Sequence, residues 1–334
     1  MKKTKYHDKA SNTALQPEPY FLFELPQGEV TLFKNDTHAV FTKDNEIVKD
    51  CSGEHWCIYK PTRDIKQTAK KTITLDKNII TLNWSGHYWH YHHETLGQFL
   101  IYADLGVFKT YTPENTVILL TWGNKILDHQ KESLKHIFNF NIFSYDLIFA
   151  ERDVCYTTTK LLITTTKTST AGCLPLSYFS EKLEKYLVPE ENPTNFIYVG
   201  RDDSDCRLLL NQEEILQFLN DHGIPIRKVT LTGMPYMEQV QLFRNAKFVM
   251  VISGSGSTNQ IYCNPNKAKI LFVSPKNGAL LCSQLTTQGM NMAYSVLEGY
   301  ENFTPTNRAS DPTCANFKLR KEDVLAKLQQ LLKD

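Results

Sequence analysis

Between Asn195 and Pro275, short apolar runs alternate with stretches of helical period, and no other feature of the chain narrows the possible folds as much. Phe196 to Val199, Phe248 to Ile252 and Ile270 to Val273 are runs of strand length without a charged residue, as expected of strands covered on both faces. Between them Ile215, Leu216 and Leu219, and then Val240 and Phe243, recur at helical spacing. Short buried strands separated by helices make parallel β/α units.

The run Ser253-Gly254-Ser255-Gly256-Ser257-Thr258-Asn259 leaves the end of one such strand and is expected to enter a short helix. Small side chains there let backbone N–H groups converge on an anion at the helix N-terminus, which is where an open α/β sheet binds phosphate. No Lys-Ser or Lys-Thr follows, so the run is not a P-loop. Gly-Ser-Gly alone equally suits a tight strand-to-helix turn with no ligand.

Upstream, Asn78 to Asn83 reads as a strand running into a segment with His87, His90, His92 and His93. On a helix, Trp89, His93, Leu96, Leu100, Ala103 and Val107 form one apolar stripe, with His90, Glu94 and Gly97 on the next. Four histidines so close together invite a metal reading. However, H-E-x-x-H is absent and no other His/Cys spacing completes a ligand set. His93 therefore reads as a core-facing ring, and His90 with Glu94 either as an ordinary i, i+4 pair or as an acid–base pair.

The order R-D-D-x-x-x-R-x-x-x-N-x-E-E, then E-Q-x-x-x-F-x-x-A, then a glycine-rich loop ending in T-N resembles glycosyltransferase family 61, whose members carry S-R-R-D-A-x-x-R, E-Q and H-G-A-G-L-T-N. The matching positions include Arg201, Asp202, Arg207, Asn211, Glu214, Glu238, Gln239, Phe243, Ala246, Gly254, Gly256, Thr258 and Asn259. The family's N-terminal N-Y-x-H with a following acidic residue is similar to His87-Tyr88-Trp89-His90 with Glu94, His87 standing in place of Asn. Ser253 stands where the family usually has His, and Ser257 where it has an apolar residue. A hydroxyl still donates to phosphate but carries no charge.

That resemblance implies a GT-B-like α/β fold, two Rossmann-like domains facing a cleft, with an N-terminal β-rich extension. It implies an inverting transfer of a sugar from a nucleotide-sugar, a UDP-sugar first among them, to a hydroxyl of a glycan or glycolipid in surface polysaccharide or glycoconjugate synthesis, with no metal or other cofactor. Glu94 is then the candidate base with His90 as partner or rival. Arg201, Arg207, Glu238, Ser253, Gly254, Ser255, Gly256, Ser257, Thr258 and Asn259 are the donor-binding candidates. Two rival readings stay open. One is a catalytically silent glycan- or nucleotide-binding relative; the other is a metal-dependent GT-A enzyme using the D-x-D of Asp203 and Asp205.

Composition bears on partners and compartment. A formal net charge of +1 over 334 residues gives no electrostatic footprint for nucleic acid. The basic start, Met1 to Lys9, is not followed by an apolar stretch, so neither a signal peptide nor a spanning helix is expected, which leaves room for peripheral contact with a membrane. The 8 cysteines are scattered without a C-x-x-C pair, in keeping with reduced thiols and a cytoplasmic location.

Elsewhere, residues 1–18 are polar and expected to be poorly ordered. Tyr20 to Cys57 reads as a meander of short antiparallel strands. Val117 to Thr121 and Leu147 to Phe149 are strand candidates, Ile126 to Phe138 a helix, and the Thr-rich Tyr156 to Thr166 a further strand. Val188-Pro189-Glu190-Glu191-Asn192-Pro193 reads as a linker, dividing an acceptor-side domain, 19–190, from a nucleotide-sugar domain, 191–334. The closing amphipathic helix, Lys321 to Leu332, is expected to turn Val324, Leu328 and Leu331 or Leu332 inward and to pack back across the interdomain cleft.

Overall fold

The computed structural model describes residues 1–6, 20–32, 38–48, 69–121, 123–164, 187, 190–276, 284, 287–288, 290–303 and 314–333. The chain is mixed α/β and divides into two compact units, Met1–Tyr178 and Phe179–Asp334. The division thus falls ahead of the Pro-containing stretch read as the linker. Tyr178 to Leu187, whose sequence reads as helix-like, lies outside the described residues except for Leu187.

In the first unit the strands are β1 (Lys2–Tyr6), β2 (Tyr20–Pro26), β3 (Glu29–Leu32), β4 (His38–Phe41), β5 (Lys71–Leu75), β6 (Asn78–Asn83), β7 (Thr116–Thr121), β8 (Asp146–Phe149), β9 (Val154–Thr158) and β10 (Lys160–Thr164). One sheet has the order β1-β2-β10-β6-β7-β8, and a second the order β4-β3-β9-β5. Strands β10, β6, β7 and β8 run parallel, while β1 and β2 close the β10 edge antiparallel. Lys2–Tyr6 therefore departs from the expectation of a poorly ordered N-terminus, because its backbone groups complete a ladder with β2.

The Thr-rich run is two strands rather than one. β9 belongs to the second sheet and β10 to the first, and the chain crosses between them at Thr159, whose carbonyl accepts from Gln27 N–H at 2.8 Å. β-branched content favours strand at every position, so it cannot mark where a strand changes sheet. In the core between these layers, Phe23, Leu25, Val30, Val40, Ile79, Leu119, Tyr156 and Leu161 pack together.

The second unit is built on β11 (Asn195–Val199), β12 (Ile226–Val229), β13 (Ala246–Ile252), β14 (Lys269–Ser274) and β15 (Ala293–Glu298), with a small antiparallel pair, β16 (Glu301–Phe303) and β17 (Asn316–Lys318). The five-stranded sheet is parallel throughout, in the order β12-β11-β13-β14-β15. Counted from its first strand this is 2-1-3-4-5, so the winding reverses between β11 and β13. The crevice at the carboxyl ends of those two strands is where such sheets take ligands.

Alternate residues Phe248, Met250 and Ile252 of β13 join Leu271 and Val273 of β14 in a core covered by two helices. The first is Gln212–Asp221, presenting Ile215, Leu216 and Leu219; the second is Lys321–Lys333, presenting Val324, Leu328 and Leu331. The closing helix thus packs on the sheet of its own unit, where its apolar stripe is already fully used. Truncating one of these buried Leu residues to Ala would cost about 2–5 kcal/mol.

Candidate active site

In the first unit the histidine segment begins at the carboxyl end of β6, the strand at which β10 lies on one side and β7-β8 on the other. It forms one continuous helix over residues 88–104, here α1, interrupted by a π-helical turn, Tyr91–Thr95. π turns are rare and frequently occur at functional sites. The extra residue shifts the helical phase, so a stripe counted at 3.6 residues per turn does not carry through. Trp89 and every residue from Tyr91 to Tyr102 is buried. One apolar stripe packed on the sheet was expected; in α1 Glu94 of the neighbouring stripe is buried as well.

Polar groups hold α1 against the sheet. Gln98 Oε1 accepts from Asn83 N–H at 2.7 Å, Thr95 donates to the Asn83 carbonyl, and Tyr102 OH donates to the Thr81 carbonyl at 2.9 Å. A second helix over residues 128–138, α2, also contains a π turn, Ser133–Ile137. It starts at Asp128 rather than Ile126, because Gln130 Oε1 accepts from Leu127 N–H and closes its first turn. Tyr91 OH meets Ser133 Oγ at 2.6 Å, joining the two helices.

His90 Nδ1 lies 2.8 Å from Glu94 Oε1, and the carboxylate is 7% exposed. Burial pushes the His90 pKa down to about 4, so the ring is neutral near neutral pH. A neutral ring that donates from Nδ1 to the carboxylate keeps its lone pair on Nε2, the arrangement of a general base with an orienting acid. His93 is the core ring expected of it, stacked on Trp89 at 4.3 Å and hydrogen-bonded through Nδ1 to the Trp89 carbonyl. His92 binds the Tyr88 carbonyl in the same way and stacks on His129 of α2, a neighbour that no local spacing could reveal.

In the second unit Arg201 follows β11 and the glycine-rich loop follows β13, so the reversal of strand order puts them side by side. A Cβ on Gly254 would run into the Arg201 guanidinium, so a larger residue there would displace that side chain. Arg201 Nη2 donates to Ser204 Oγ at 2.9 Å and Nε to the Cys206 carbonyl at 3.4 Å. Arg207 Nη1 donates to the Ser253 carbonyl at 2.9 Å, and its buried Nε has no hydrogen-bond partner among the described residues. Burial first, and then the charge of Arg207, hold the Arg201 pKa below its ordinary value. Burial acts to raise the Cys206 thiol, but Cys314 and the Arg207 charge outweigh it and leave the pKa lowered. The Arg207 charge contributes to both shifts.

From Ser255 to Tyr262 the chain forms a 3-10 helix. Ser257 Oγ and N–H both donate to the Gly254 carbonyl, at 2.7 and 3.0 Å, which pins the turn. Ser253, Ser257, Thr258 and Asn259 are buried, while Ser255 and Gly256 are partly exposed. Thr258 Oγ1 is buried without a hydrogen-bond partner among the described residues. Asn259 Nδ2 donates to Gln239 Oε1 at 3.0 Å, and Gln239 in turn donates to the Leu231 and Met234 carbonyls. Glu238, in the first turn of the helix Tyr236–Arg244, is exposed instead. Adjacent helical positions point about 100° apart, so the pair E-Q alone did not say which member faces the loop. Asp203 accepts from Thr232, and Asp202 pairs with Lys228 at 2.8 Å.

The family model for Glycosyltransferase 61 matches residues 88–271, more than half of the chain. The chain belongs to glycosyltransferase family 61. It is therefore a transferase that moves sugars between a donor and an acceptor. The match opens on the first residue of α1 and ends inside β14, so it takes in His90, Glu94, both arginines and the whole glycine-rich loop. No curated protein is similar enough to the chain to count as a match. Among the described residues no helix is long and apolar enough to cross a membrane.

Proposed function

We propose that this family 61 enzyme transfers a sugar from a nucleotide-sugar, a UDP-sugar first among the candidates, to a hydroxyl of a glycan or glycolipid, with inversion at the anomeric carbon. Surface polysaccharide or glycoconjugate synthesis, in the cytoplasm, is the setting this reading gives it. The observation that carries it is the convergence of Arg201 and Arg207 on the Ser253–Gly254 backbone, at the carboxyl edge where the parallel sheet reverses its order. Two guanidiniums partly removed from water beside each other are costly, and a diphosphate offsets both charges with forked hydrogen bonds.

The unit 179–334 then holds the donor and the unit 1–178 the acceptor, as in a GT-B glycosyltransferase. The acceptor oxygen attacks the anomeric carbon while the bond to the diphosphate breaks. His90 Nε2 takes the hydroxyl proton, with Glu94 holding Nδ1–H and stabilising the imidazolium that forms; these roles exchange the base assigned from the motif. The nucleoside diphosphate leaves with the bonding electrons, and Arg201, Arg207 and the N–H groups opening Ser255–Tyr262 meet its charge.

A thermal-shift panel of UDP, GDP and CMP tests the donor side. Binding to the native state alone raises Tm, and at about 100 times Kd the gain is about 2.7 kcal/mol. UDP should stabilise wild type and lose its effect in Arg201→Ala. Stabilisation by CMP but not by UDP or GDP would remove the diphosphate from the reading.

A further inference from the structure

Helix α2 serves two surroundings. Gln130, Ser133, Leu134 and Ile137 are buried, and through Tyr91 this face is tied to the histidine helix. The other face, including Glu132, Lys135 and His136, forms one wall of a groove of about 620 Å³ whose far side is residues 139–143. That volume suits a small ligand or a few linked rings.

The far side is a rigid turn. Asn139 closes α2 in the left-handed conformation at φ 50°, and Phe140 N–H reaches back to the Leu134 carbonyl at 2.9 Å. Asn141 Oδ1 accepts from Phe143 N–H at 3.2 Å and so fixes the start of the turn Ile142–Ser144. Phe140 turns inward against Phe99 and Phe108, at 4.8 and 4.6 Å. Phe143 does the opposite and is 55% exposed.

An exposed phenyl ring beside the Asn139 and Asn141 amides, the latter fixed by Phe143 N–H, is a surface that matches a pyranose: the ring covers the apolar C–H face, and the amides reach the hydroxyl rim. Charge argues against a phosphate ligand. Lys131 is paired with Asp128 at 3.2 Å, and Glu132 shares the wall with Lys135, so the groove presents both signs rather than a cationic cluster. An apolar helix or peptide would need a longer continuous apolar stripe than one phenyl ring offers.

We propose that this groove is a carbohydrate subsite, which binds neutral sugar residues of the acceptor remote from the reacting hydroxyl. It rests on the reading of the acceptor as a glycan. Because α2 carries both the groove and the contact to Tyr91, the subsite and the histidine helix share one rigid element, and an oligosaccharide gains affinity from residues that take no part in the chemistry.

The purified full chain, without donor, is titrated with neutral gluco-, manno-, galacto- and xylo-oligosaccharides, alongside Phe143→Ala. Phe143 is exposed, so the variant should keep the wild-type Tm. At least one series should bind wild type, and Phe143→Ala should weaken that binding about fivefold or more. Absence of binding to all four series, or a smaller loss in the variant, would overturn the subsite. Release of nucleotide from a UDP-sugar by wild type is measured separately. If release fails while Phe143-dependent glycan binding holds, the donor assignment falls and the groove stands.

Discussion

Arg201 is held by Ser204, the Cys206 carbonyl and the close approach of Gly254, so its guanidinium is pre-aimed rather than free to search. A pre-aimed donor that meets charge developing on a leaving group is worth about 2–4 kcal/mol. Arg201→Ala should therefore lower kcat/KM by that equivalent, and Arg201→Lys should recover little, since an ammonium cannot fork. Turnover within about threefold of wild type would take Arg201 out of the reaction. At the acceptor side the two members of the His90–Glu94 pair make different predictions. His90→Ala removes the proton acceptor and should cost about two to four orders of magnitude in kcat. Glu94→Gln keeps an oxygen to accept from Nδ1–H and should cost less. The reverse ranking, read from single-turnover rates, would return the base role to Glu94.

At the scale of the element, α1 carries buried imidazoles whose titration is suppressed. Burial pushes His93 and, on α2, His129 down to about 4, and His92 well below its ordinary value. In the unfolded chain these rings titrate near 6.5. Above that pH neither state is protonated and the fold keeps its full stability. As pH falls from about 6.5 towards 4 the unfolded chain binds protons that the folded chain refuses, so stability declines through that window. Urea unfolding should show a lower midpoint at about pH 5 than at about pH 7, with the difference reduced in His93→Gln. Equal midpoints at the two pH values would mean that the rings titrate as if exposed.

For the whole molecule the open choice lies between charge neutralisation by fixed protein groups and by a bound cation. In the proposed reading Arg201, Arg207 and the Ser255–Tyr262 N-terminus are permanent parts of the fold, so turnover should survive excess EDTA. Asp203→Ala combined with Asp205→Ala should retain most activity, Asp203 being engaged with Thr232. Loss in EDTA that Mn²⁺ or Mg²⁺ restores, with a dead double variant, would favour the GT-A reading. The alternation of apolar runs and helical stretches was enough to specify parallel β/α units in residues 195–275, because strands covered on both faces must be apolar throughout. Order and spacing of the R-D-D, E-Q and glycine-loop motifs were likewise legible, as was His93 as a core ring. Strand order was not. That Arg201 and Gly254 meet depends on β13 lying next to β11, a pairing across about 50 residues that local propensity does not encode. Nor did the sequence reveal the π turn in α1, the transfer of the Thr-rich run between two sheets, or Gln239 rather than Glu238 facing the loop. Each is a choice among locally similar conformations, and it is settled only when packing and backbone hydrogen bonding are satisfied together.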